Sequence, residues 1–216
     1  KAAAISEMLN SRYGDDLDLI TAYTTDEERA VFIKSFESAM QRGRGYFPSQ
    51  VAFEARLAYG RAQLAVFFDH YRPALPAICN TGYSLNNVFM ENIPLTGEID
   101  NLVWIGQGEV RVEDWKTGNA IKGAAKVNLC ADLSGGITSD IIADAEAMGE
   151  YRRQIYFYKL LINHHSTLLL KPTSGKVRFI ESHDTKDVPV AIDVVFSAEE
   201  ETLVRSQISY AYNGIM

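Results

Sequence analysis

Cysteine is scarce in this chain. Cys79 and Cys130 are the only two in 216 residues, and a widely separated pair cannot complete a four-ligand zinc or iron–sulfur site. Such sparse usage fits a reduced, cytosolic protein. Long apolar runs are missing as well: no uninterrupted stretch approaches the roughly 20 residues that span a bilayer, so no membrane partner is expected. Excess positive charge is also absent. A formal net charge of -7 excludes a domain that holds nucleic acid through overall basicity. An anionic substrate then needs a local basic patch, a metal ion, or a partner that delivers it. There is no Gly-rich loop of the ATP-binding kind, so ATP hydrolysis by this chain alone is not expected. His70, His164, His165 and His183 lack metal-ligand spacing. The opening "KAAAISEML" has neither a start methionine nor a basic segment followed by an apolar run, and it reads as the interior of something longer.

What is present divides into helical and strand-like texture. A helical N-terminal part is expected over 1–76. "TTDEERAVFIKSFESAM" opens with a capping box, Thr25 with Glu28, and sets Phe32, Phe36 and Met40 along one face. A longer amphipathic helix is predicted from Ser49 to about His70, stopped by Pro73 and Pro76. The core is expected over 77–216, the whole forming one compact domain. "TGYSLNNVFMEN" and "IPLTGEIDNLVWI" predict a hairpin turning near Glu91 and Asn92, and "GEVRVEDWKT" follows across Gly106 and Gly108. Gly118 to about Ala145 is weakly patterned and reads as a loop. "AEAMGEYRRQIYFYKLLIN" returns to helical spacing. "STLLLKP", "GKVRFIES" and "VPVAIDVVF" read as three further strands, and a last helix is signalled by Ser197 with Glu200. The order implies an α/β fold, a mixed sheet flanked by helices.

The chemistry concentrates in "LTGEIDNLVWIGQGEVRVEDWKTG". Side chains alternate along a strand, so Asp114 and Lys116 share one face while Glu113 and Trp115 take the other. If the two strands pair, Asp100 lies across from that site. Two carboxylates so placed repel unless a cation sits between them, and hard oxygen ligands with room for water suit Mg²⁺ or Mn²⁺. Such an ion polarises a phosphoryl oxygen and acidifies a bound water, while Lys116 orients water or neutralises developing charge. The backbone carbonyl of Trp115 is an additional candidate ligand. Alone, "DWK" is an ordinary solvated pair; Asp100 upstream and "Q-x-x-x-Y" downstream turn it into an ordered constellation.

The segments "LTGEID", "VEDWKTG" and "RRQIYFYKLL" closely resemble the PD-(D/E)XK nuclease superfamily, specifically the RecB-type domain at the C-termini of UvrD-like helicases. The resemblance covers about Tyr83 to Ile162. It implies a restriction-endonuclease-like fold, a divalent metal, DNA as substrate, and a helicase motor N-terminal to this piece. By the same resemblance Asp100 binds metal, Asp114 and Lys116 are the acid and lysine of the second motif, and Gln154 and Tyr158 shape the site and contact DNA. The chain departs from the pattern where RecB-type domains carry a histidine on an upstream helix: either "AISEML" puts Ser6 in that position, or the motif lies before Lys1. A catalytically decayed DNA-binding or scaffolding module of the same fold is the alternative. The iron–sulfur members need four cysteines, so no cluster is expected.

Around this centre, Glu98 is expected to be solvated or to support Asp100, and Glu113 to be an exposed or paired carboxylate facing away. Arg152, Arg153 and Lys159, with Lys122 and Lys126, are candidates for the basic patch that an acidic protein needs to hold a phosphate backbone.

Overall fold

The computed structural model describes residues 25–66, 68–69, 79–181 and 190–215. They fall into two compact units, 25–69 in one and 79–181 with 190–215 in the other. Ser6, His70 and His183 lie outside the described residues.

In the first unit, α1 (Thr25–Arg42) and α2 (Gln50–Val66) pair. The Ser49 hydroxyl accepts from the Ala52 N–H at 3.1 Å and starts α2, as its position before the apolar pattern requires. Gly60 leaves room for the Phe36 ring, and the Phe47 and Phe53 rings meet edge to face at 5.5 Å. No helix among the described residues is long and apolar enough to cross a membrane.

The second unit is built on one five-stranded sheet in the order β1 (Cys79–Met90), β2 (Ile93–Gly106), β3 (Glu109–Asn119), β4 (Lys171–Glu181), β5 (Ala191–Val195). Adjacent strands are antiparallel except β3 and β4, which run parallel. The sheet is therefore mixed, as expected. The first hairpin closes with Met90 opposite Ile93, and Glu91 in the turn has φ of 58°. The second closes with Gly106 opposite Glu109, and both turn residues, Gln107 at 47° and Gly108 at 83°, are left-handed. That double positive φ matches the twist of the flanking strands.

Between β3 and β4 come α3 (Ala120–Asn128), α4 (Ser139–Ala143) and α5 (Glu150–His164); α6 (Ala198–Ile215) follows β5. Two expectations need correction here. The segment from Gly118 to Ala145 is not simply a loop: α3 occupies its first part, burying Ala120, Gly123 and Val127. Gly123 has the polarity of a helix breaker in sequence, yet here it is the contact residue, because any Cβ would overlap the Phe179 ring. And "STLLLKP" is not a strand of its own; only its last two residues join "GKVRFIES", in β4.

The sheet receives α5 through two glycines. A Cβ at Gly97 on β2 would press into Leu161, and one at Gly175 on β4 into Ile155. Close approach buries Ile155, Leu160, Leu161 and Ile162. Gly149, which begins α5, sits against the Lys126 carbonyl of α3. That neighbour is backbone and cannot yield, so Gly149→Ala is expected to destabilise the unit by about 1–3 kcal/mol, read as a lower urea midpoint at unchanged slope.

At the other end, α6 is fastened to α5. Ser197 caps it, its hydroxyl accepting from the Glu200 N–H at 3.1 Å. The reciprocal half of the capping box is replaced: the Ser197 N–H donates to the Tyr156 hydroxyl at 2.8 Å, which frees Glu200 to take Arg152 in two contacts of 2.6 and 2.8 Å. Burial pushes the Tyr156 phenol up to about 12, so it stays a neutral hydroxyl.

Candidate active site

The pairing of β2 with β3 runs from the turn as far as Asn101 opposite Glu113 and then stops. On its other side, β2 pairs Asn101 with Thr81 and Ile99 with Tyr83, leaving Asp100 opposite Gly82, whose φ is +58°. Leu102 lies opposite Val112, so plain alternation sets Asp100 on the face of Val112 and Asp114. The Asp100 carboxylate takes over the next ladder bond: its Oδ2 accepts from the Trp115 N–H at 2.9 Å. Where the strands part, an acid stands in for backbone.

Asp114 and Lys116 follow on β3 and share a face, as alternation requires. Asp114 is 1% exposed. Its Oδ2 pairs with the Lys116 ammonium at 2.7 Å and has no further partner, so lone-pair capacity remains on this buried oxygen. Lys116 donates to Gln154 Oε1 at 2.8 Å, Gln154 Nε2 donates to the Tyr158 hydroxyl at 2.7 Å, and that hydroxyl donates to Asp114 Oδ1 at 3.3 Å. Three hydrogen bonds and the Lys116–Asp114 ion pair thus close a ring of Asp114, Lys116, Gln154 and Tyr158, in which the ammonium and the phenol fix the orientation of the Gln154 amide. Helical spacing of four aims Gln154 and Tyr158 at the same point.

Electrostatics mark the same spot. Burial pushes the Asp114 carboxyl above its usual range; the Lys116 contact opposes this, and the Asp100 charge adds to it. Burial and the nearby Asp114 charge push the Tyr158 phenol upward, which keeps it a donor. Among the described residues no three His, Cys, Asp or Glu side chains gather as a metal cage. The donor set is two carboxylates with the Trp115 peptide beside them. Hard oxygens with vacant lone pairs, leaving most positions to water, suit Mg²⁺ or Mn²⁺. The underpaired Asp114 Oδ2 is the observation that fits such an ion.

Other candidates go elsewhere. Glu98 is exposed and accepts from Ser84 at 3.2 Å. Glu113 faces away but is not exposed: it is fully buried, gripped by Arg178 at 2.7 and 3.0 Å and by Arg111 at 2.6 Å. Burial alone would raise its pKa; the two guanidinium groups outweigh that and hold it below the usual value. Arg152 is engaged by Glu200, and Lys159 by Glu201 at 2.7 Å, so both serve the α5–α6 junction. Arg153 donates to the Ala145 carbonyl at 2.8 Å. Lys126 is placed beside Lys116: both ammonium groups lie against the Tyr151 ring, at 4.9 and 4.6 Å from its centre. Tyr151 was not legible as a site residue in the sequence; its place three residues before Gln154, on the same helix face, is the available signal. His164 Nε2 faces an Arg205 guanidinium nitrogen at 2.7 Å, which makes it an acceptor and so a neutral ring. A shallow hollow of about 560 Å³, lined among others by Cys130, Asp132 and Ser197, contains none of the ring residues.

A mixed five-stranded sheet flanked by helices, with β2 and β3 parting beside Asp100, Asp114 and Lys116, is an α/β fold of restriction-endonuclease-like architecture. Compared with models of protein families, residues 2–216 match the PD-(D/E)XK nuclease superfamily, and the chain belongs to it. A search among curated proteins found no match. Among solved structures, one titled "Crystal structure of SSO0001" is similar at 14% identity, covering 99% of this chain and 87% of that one, with a TM-score of 0.37.

Proposed function

We propose that this chain is a Mg²⁺- or Mn²⁺-dependent deoxyribonuclease domain of RecB type, fed with DNA by a UvrD-like helicase motor in the same polypeptide. The observation that carries this reading is the closed ring of Asp114, Lys116, Gln154 and Tyr158, with Asp100 turned toward it at the place where β2 and β3 separate. Asp100, Asp114 and the Trp115 carbonyl would hold the ion, which when bound supplies Lewis-acid polarisation and a water of lowered pKa. Lys116 does work of its own. Gln154 fixes its ammonium beside Asp114, so its charge meets the negative charge that grows on a phosphoryl oxygen without reorganisation. Tyr158, donating to Asp114 Oδ1, leaves Oδ2, which Lys116 also contacts, as the ligand atom and stops the carboxylate from rotating. Delivery by a motor offsets the repulsion between a chain of net charge -7 and its substrate.

Plasmid nicking tests the reading. Cutting should require Mg²⁺ or Mn²⁺, cease with EDTA, and fall about 100-fold in Lys116→Ala, the scale of losing one charge-stabilising group. Nicking that ignores both chelator and substitution would sink it. DNA binding without cutting by the unaltered chain would favour a non-catalytic module of the same fold, and preference for RNA an RNA-processing relative.

A further inference from the structure

We propose that Lys126 and Tyr151 form a subsite for the backbone phosphate next to the one being cleaved, a refinement that rests on the nuclease reading above. The elements that build it are α3, whose Gly123 seats it against Phe179, and the first turn of α5. Tyr151 packs toward Phe179, with ring centres 6.2 Å apart, and it carries the ammonium groups of Lys116 and Lys126 within 5 Å of its own centre.

Two cations sharing one ring repel each other, and the arrangement persists because the electron-rich ring and separate acceptors hold each of them. The acceptors differ in kind. Lys116 is mostly enclosed, 19% exposed, and tied to Asp114 and Gln154. Lys126 is 48% exposed, and its carboxylate contact is Glu150 at 2.8 Å, itself 63% exposed. An open pair of that sort contributes between nothing and about 1 kcal/mol, so a phosphate can displace Glu150 from Lys126 at little cost. The inner ammonium attends the reacting phosphate and the outer one meets its neighbour along the strand. With Arg152 and Lys159 committed to α6, Lys126 is a half-exposed cation beside Lys116 that can take a phosphate in an acidic protein.

Opposite effects of two substitutions distinguish a phosphate grip from a structural ion pair. Binding of a fluorescein-labelled oligothymidine is followed by anisotropy in EDTA across a salt series, so that no cutting intervenes. Lys126→Ala is expected to weaken binding several-fold and to reduce the slope of log affinity against log salt by about 1. Glu150→Gln, which releases Lys126, is expected to tighten binding. Were the Lys126–Glu150 pair merely structural, both variants would move binding the same way or not at all, and either outcome overturns the proposal. If the unaltered chain fails to nick DNA with Mg²⁺ while these opposite shifts persist, the hydrolytic reading fails and the subsite stands.

Discussion

On the proposed nuclease reading, Asp114→Asn is expected to lower metal-dependent cutting by about 1,000-fold or more, while raising the thermal midpoint. On that reading the loss follows from removing the charge that would bind a cation and that anchors Lys116. The gain in stability follows from burial. Desolvation holds the Asp114 carboxyl above its usual 3.8, so the folded state prefers the neutral form and ionisation works against folding. With a raised folded-state pKa, the side chain's favourable contribution is complete below 3.8 and disappears as pH rises through the raised value. The variant's advantage should therefore appear as pH rises through the raised value and vanish below the usual aspartate range. Calorimetry at pH 7 and at pH 3 checks the sign, and single-turnover cleavage of a labelled duplex checks the activity. A midpoint that fell at pH 7 would refute the burial argument without touching the catalytic one.

On the other face of the sheet, Glu113→Ala is expected to cost about 3–5 kcal/mol, because it strands two guanidinium groups where one is 5% exposed. Arg178 also stacks on Trp115, at 5.5 Å from the ring centre, so its displacement would disturb the strand that carries the active residues. Replacing both members of the buried pair, Glu113→Leu with Arg178→Met, should recover most of the loss, since desolvating an ion pair consumes much of its attraction. Urea unfolding of the three proteins gives the comparison. The acid sensitivity of this cluster runs opposite to that of Asp114. With the Glu113 pKa held low, its contribution is present above the usual 4.5 and lost as pH falls through the lower, folded value.

How much of this could be read beforehand depends on the range of the contacts. Asp114 with Lys116, and Gln154 with Tyr158, follow from strand and helix periods, which are local rules, and both hairpin turns follow from Gly or polar residues at fixed offsets. The contact of Asp100 is not local: its carboxylate reaches the Trp115 N–H, 15 residues later, where the β2–β3 ladder has ended. Glu113 could be placed on the far face, yet its burial depends on Arg178, 65 residues later. The diversion of Arg152 to Glu200 likewise spans 48 residues. α3 escaped notice because Gly123 counts against a helix in isolation, and only Phe179 on a distant strand makes a missing side chain an advantage. Local physics set out the reacting groups; long-range pairing decided which neighbouring charges remained available to them.

The junction between the last two helices has a consequence for how the domain tolerates change. Two ion pairs seven positions apart on one helix, with a phenol capping its neighbour between them, deny that rod both rotation and axial slip. Tail truncation would therefore blunt the cleft by letting the amide and phenol drift, well before the sheet itself came apart.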